Sequence, residues 1–103
     1  MKKRPTIRQV AIWLRKEFPV KKEIGHVRCF KFSNKNKLIY AFTTIAGNIQ
    51  LNNLYHDYLL REALLHEWAH IRTDWLKKQP HHQEFWKELG RITNAYDNKF
   101  TDD

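Results

Sequence analysis

Apolar side chains at Ile7, Val10, Ala11, Leu14 and Phe18 recur three or four residues apart, which predicts an amphipathic helix burying one stripe. Thr6-Ile7-Arg8-Gln9 stands at its start as a capping box, with the Thr6 hydroxyl and the Gln9 amide satisfying free backbone amides. Pro19 stops it. From Gly25 the period changes. Val27 to Phe32 and Leu38 to Thr44 are rich in β-branched and aromatic residues, and the polar stretch Ser33 to Lys37 between them predicts a hairpin. Ala46-Gly47-Asn48 signals another turn. After it, Asn48 to Asn52 alternates Ile49 and Leu51 with polar neighbours, as a short half-buried strand does. The helical period returns from about Tyr55 to Lys77, where Leu60, Leu64, Trp68, Ile71 and Trp75 form a stripe with Ala63 beside it. Gln79-Pro80 breaks the chain. A third helix begins over His81 to Leu89, its buried stripe being Phe85, Leu89, Ile92 and Tyr96, and the polar end from Lys99 to Asp103 is expected to fray. The pattern predicts one α+β domain over residues 1–103: an N-terminal helix on a small antiparallel sheet, then two helices.

Composition narrows the class. At 103 residues and 42% hydrophobic content the chain can bury one modest core and is not disordered. The single cysteine, Cys29, excludes an intrachain disulfide and a cysteine-rich metal knuckle, and reads as a small buried residue in a strand. Met1 to Arg4 is basic, but no apolar run of signal-peptide length follows, and no segment approaches membrane-spanning length. A cytoplasmic protein with no membrane partner is the expectation; nothing in the sequence sets an oligomeric state. The formal charge of +8 biases the chain towards polyanions, although a well-solvated basic surface accounts for it equally well. Lys2, Lys3, Arg4, Arg8 and Arg15 are the candidate contacts to nucleic acid, on or before a helix whose apolar stripe faces inward. Such contacts go to phosphates, so DNA binding would be weak, indifferent to sequence and salt-sensitive.

The chemistry concentrates in Leu64-Leu65-His66-Glu67-Trp68-Ala69-His70. On a helix His66 and His70 lie about 40° apart around the axis and one turn apart along it, so two imidazoles can share one metal ion. Glu67 is rotated about 100° from His66, which suits a general base better than a ligand. Zinc accepts neutral imidazole and, with an open position, activates water near neutral pH. An exposed helix face carrying two histidines and a glutamate is the competing explanation. A hydrolytic zinc needs a third protein ligand. Asp74 lies about 12 Å along the axis from His66, too far for one tetrahedral ion. Glu84 is chemically possible, and the histidines opening the third helix are better placed; helix angles alone lean slightly to His82 over His81.

His66-Glu67-Trp68-Ala69-His70, a short connection, then His81-x-x-x-Phe85-Trp86 and the tail Arg91-Ile92-x-Asn94-Ala95-Tyr96 resemble the SprT-like zinc metallopeptidase domains, short bacterial and phage-encoded versions in particular. The resemblance covers roughly Gly47 to Tyr96. It implies a zincin-like fold, one zinc ion per chain and hydrolysis of a protein or peptide substrate. In that family the third zinc histidine stands four residues before the aromatic, which assigns His81; the next position is commonly Gly or Ser there and is His82 here. Larger members often add a cysteine zinc ribbon, which one cysteine cannot build. Their link to clearing DNA-attached proteins implies that this chain meets substrates on DNA. The resemblance also implies that Asn48, Ile49, Gln50 and Leu51 belong to an edge strand along which an extended peptide docks. With zinc held by His66, His70 and His81, Glu67 takes the proton of the attacking water and passes it to the leaving amine. Tyr96 and Arg91 are candidates to stabilise the transition state if the third helix folds back, but packing and surface charge are the preferred explanations for them. Two other classes compete with the peptidase: a nucleic-acid-associated module with structural zinc, and a protein-interaction module on a degenerate zincin fold. The presence of Glu67 argues against the first, since a structural site has no use for a base.

Overall fold

Helix α1 (Ile7–Glu17) opens at the expected cap in the computed structural model, which describes residues 4–32, 39–73 and 82–100. The Gln9 amide nitrogen of the backbone donates to Thr6 Oγ1 (3.1 Å), and the Thr6 backbone donates to Gln9 Oε1 (2.8 Å). The helix closes where Phe18 N–H donates to the Leu14 carbonyl, just before Pro19. Val10 and Leu14 are fully buried, as the stripe requires.

Three strands follow: β1 (Val27–Phe30), β2 (Ala41–Thr43) and β3 (Ile49–Asn52). Their order in the sheet is β1-β3-β2, with β1 parallel and β2 antiparallel to β3. The sheet is therefore mixed, and the expected hairpin between the first two strand segments is replaced by a third strand inserted between them. The reason is burial. Ile49 and Leu51 are both fully buried, so β3 holds the centre, whereas Arg28, Cys29 and Phe30 lie exposed along β1. Cys29 is consequently not the buried residue expected. Partial desolvation, and then the Asp57 carboxylate, hold its thiol above the usual range, which makes it a poor nucleophile.

The tight connection lies between β2 and β3, where Gly47 N–H donates to Thr44 O (2.9 Å) and Gly47 takes a φ of +87° that favours glycine. Asn52, fully buried at the end of β3, ties three segments together. Its Oδ1 accepts from the Phe32 and Leu54 amides (3.3 and 3.2 Å), and its Nδ2 donates to Ile39 O (2.9 Å).

Helix α2 (Asp57–Thr73) crosses the sheet and carries the His-Glu-x-x-His stretch; Asp74 and Trp75 lie outside the described residues. Its rotation is set by Trp68, which is fully buried, donates its indole N–H to Phe18 O (2.9 Å) and lies under the Arg15 guanidinium at 5.7 Å. Burial dominates this anchor: truncating a core tryptophan costs about 3–5 kcal/mol, against about 1 kcal/mol for one neutral hydrogen bond. The loop before β1 is fitted to the same ring. A Cβ on Gly25 would stand 3.0 Å from Trp68 and 2.8 Å from the Arg15 guanidinium, and the backbone there has a φ of +80°.

Helix α3 (Gln83–Lys99) packs along α2 through Phe85 and Ile92, both fully buried. An ion-pair cluster fixes its register. Glu88, nearly buried, pairs with Arg72 of α2 and with Arg91 (2.7 Å) one turn on, while Arg72 also donates to Pro19 O (2.6 Å). Both guanidinium groups lie 5.6 Å from the Phe18 ring.

Candidate metal centre

With Trp68 turned into the core, its helix neighbours His66, Glu67 and His70 come out together at the edge of the core. Their ligand atoms all lie within 4.8 Å of one another, and they form the donor group found among the described residues. His66 Nε2 and His70 Nε2 are 3.2 Å apart. Two nitrogens on one tetrahedral zinc at about 2.05 Å stand about 3.3 Å apart, so the pair is spaced to hold a single ion. The donor set fits zinc in chemistry as well: two neutral imidazoles with a carboxylate beside them.

Phe85 orients both rings. It stacks on His70 (centroids 4.3 Å, 25° between planes) and meets His66 edge-on (5.0 Å, 66°). Since Phe85 sits in the first turn of α3, the clamp made by Glu88 and Arg72 also fixes where α3 begins relative to the histidine pair.

Glu67 is held from the other side. Thr43 of β2 donates its hydroxyl to Glu67 Oε1 at 2.7 Å. Nothing in the sequence distinguished Thr43 from any other β-branched strand residue; only the sheet's position across α2 brings it to the carboxylate. A carboxylate has lone pairs to spare, so this bond fixes its rotamer and leaves it able to accept a proton. Thr43→Val removes the hydroxyl at nearly constant shape. On the peptidase reading proposed below, the expected outcome is a drop in kcat of about 10-fold with little change in KM or zinc content, while Thr43→Ser restores most of the rate. A Val variant with wild-type kcat would show the bond to be incidental.

The other sequence-predicted residues separate. His81, Lys2 and Lys3 lie outside the described residues. His82 is the N-cap of α3, with Nδ1 accepting from the Glu84 amide at 3.2 Å. Asn48, Ile49, Gln50 and Leu51 do not form an edge: the strand residues among them are paired on both sides, and Asn48 sits in the turn. Among the described residues, the strand that borders the motif helix with an outer edge is β2. Arg4 and Arg8 are exposed, but Arg15 turns inward to donate to Ile24 O and cover Trp68, so it is not free for phosphate. Arg91 is engaged with Glu88 and lies over the Phe18 ring, and Tyr96 packs on Trp13 and Phe100.

A cavity of about 430 Å³ opens beside His66 and Glu67, bounded by β2, the outer side of α2 and α3. No helix among the described residues is long and apolar enough to cross a membrane.

No protein-family model matches the sequence, and no curated protein does. Among solved structures the chain is similar to the crystal structure of the metallopeptidase zymogen of Pyrococcus abyssi abylysin, with a TM-score of 0.53 and 17% sequence identity. The match covers 90% of this chain and 93% of that one, and at this identity it is a likeness of fold. The likeness thus extends over most of the α+β fold rather than the motif helix alone.

Proposed function

We propose that this chain is a zinc-dependent metallopeptidase of the SprT-like kind, hydrolysing peptide bonds in protein or peptide substrates. One observation carries the reading: two imidazole nitrogens 3.2 Å apart, with a glutamate fixed beside them, on a fold shared with a metallopeptidase zymogen. His66 and His70 would hold the ion. His81 is the proposed third ligand, supported by the seating of Phe85, four residues on, against both rings and by the use of His82 as a cap. When bound, zinc supplies a Lewis acid for water and for the scissile carbonyl.

The residues do the rest. Glu67, its rotamer set by Thr43, accepts the proton of the attacking water as the new C–O bond forms. It then gives that proton to the departing nitrogen as the C–N bond breaks, leaving a carboxylate and an amine. The outer edge of β2 offers backbone donors and acceptors to an extended substrate, the role first expected of β3. We further place the substrates among proteins on nucleic acid, supported by the +8 charge and by exposed Arg4 and Arg8.

The test is cleavage of unfolded casein by the zinc-loaded chain, read by mass spectrometry of the products. Cleavage should stop with 1,10-phenanthroline and return on adding zinc. Intact casein, together with no cleavage of DNA-bound protein, would rule the reading out.

A further inference from the structure

The cavity beside the histidine pair has a chemistry of its own. Tyr40, Leu59, Ala63, Leu65 and Leu89 give it apolar walls, and Glu62 stands among its lining residues on the same helix. Glu62 is exposed and makes no ion pair among the described residues. Among the described residues, the cavity lining contains no lysine or arginine. Among the described residues that line it, the carboxylates are Glu62 and Glu67.

Helix geometry sets the distances. Glu62 precedes His66 by four residues, so the two share a face about 6 Å apart along the axis. A lysine side chain spans about 6 Å from Cα to ammonium on an apolar stem. A substrate residue whose backbone lies at the histidine pair can therefore run its stem past Leu59 and Ala63 and set its cation at Glu62. A plain aliphatic side chain fills the same walls and leaves the carboxylate unused, and an acidic one meets two like charges.

We infer that this cavity selects a lysine or arginine next to the scissile bond, with Glu62 as the specificity-determining residue. The inference rests on the peptidase reading and names the substrate class of that site. The overall positive charge does not cancel it. Distant charges are screened over about 8 Å at physiological salt, whereas the cation and Glu62 meet at contact distance.

Two assays test it. The first measures kcat/KM for peptides that differ only in lysine, norleucine or glutamate beside the cleaved bond. Lysine should lead norleucine by about fivefold, the size expected of a part-exposed ion pair, and glutamate should be worst. Glu62→Gln should erase the lysine advantage, and Glu62→Lys should reverse the order of lysine and glutamate. The second uses the zinc-loaded wild-type chain and dipeptide hydroxamates bearing the same three side chains, with affinity read by calorimetry and no turnover needed. Hydroxamate affinities in the same order, shifted in the same way by the Glu62 variants, support the inference even if no peptide is cleaved; that combination would sink the peptidase reading alone. Hydroxamates that fail to bind, or cleavage and binding indifferent to side chain and to Glu62, overturn it.

Discussion

Glu67→Gln is expected to lower peptide cleavage by about 10²–10⁴-fold, the range a positioned general base supplies, while fold and zinc content stay at wild-type levels. The amide is nearly isosteric with the carboxylate, and its oxygen can still accept from the Thr43 hydroxyl, so the local packing has no reason to move. What is lost is the ability to take a proton from water and deliver it to nitrogen. The loss should fall on kcat, since the carboxylate contributes to the transition state more than to ground-state binding. Three measurements on one preparation check this: initial rates with a quenched fluorescent peptide, zinc by elemental analysis, and the thermal unfolding midpoint. A variant that keeps more than a tenth of the wild-type rate would remove Glu67 from the role of base.

The second large effect is on the metal itself. Wild-type chain, purified without chelator or metal resin, should carry one zinc per chain. His66→Ala or His70→Ala should weaken zinc binding by more than about 100-fold, beyond the range seen when an outer hydrogen-bond partner is lost. Each removes one of two nitrogens only 3.2 Å apart, and one imidazole cannot hold the ion in the same way. The start of α3 gives a finer contrast. His81→Ala should lose zinc as the motif variants do. His82→Ala should keep zinc and lose about 1 kcal/mol of stability, the usual cost of removing an N-cap. Competition against a chromogenic chelator measures the first quantity and urea unfolding of the zinc-loaded protein the second. Equal zinc losses at the two positions would assign the ligand role differently.

Local signals in the chain were enough for the helices and for the heart of the site. The Thr6 and Gln9 cap, the Pro19 stop and the stripes of α1, α2 and α3 depend on neighbours within four residues, and sequence records such spacing directly. His66, Glu67 and His70 were legible for the same reason: their geometry is that of one helical turn. Strand partners are different in kind. The β-branched and aromatic residues over Val27 to Phe32 and Leu38 to Thr44, and the alternation over Asn48 to Asn52, mark strands, but pairing is a contact between distant segments, and such local patterns do not name the neighbour. Only the packed molecule placed β3 between β1 and β2, which moved the available edge to β2 and exposed Cys29. The same limit hid Thr43, whose hydroxyl matters because the sheet crosses α2 at Glu67, and Glu62, whose carboxylate has meaning only once a cavity lies beside it. It also misplaced Arg15, which a helix pattern puts at the surface and the Trp68 ring draws inward. Short-range periodicity and capping chemistry were thus set by the sequence itself, while every feature that required two elements to meet was decided by the tertiary fold, because burial chooses among partners that local spacing leaves equivalent.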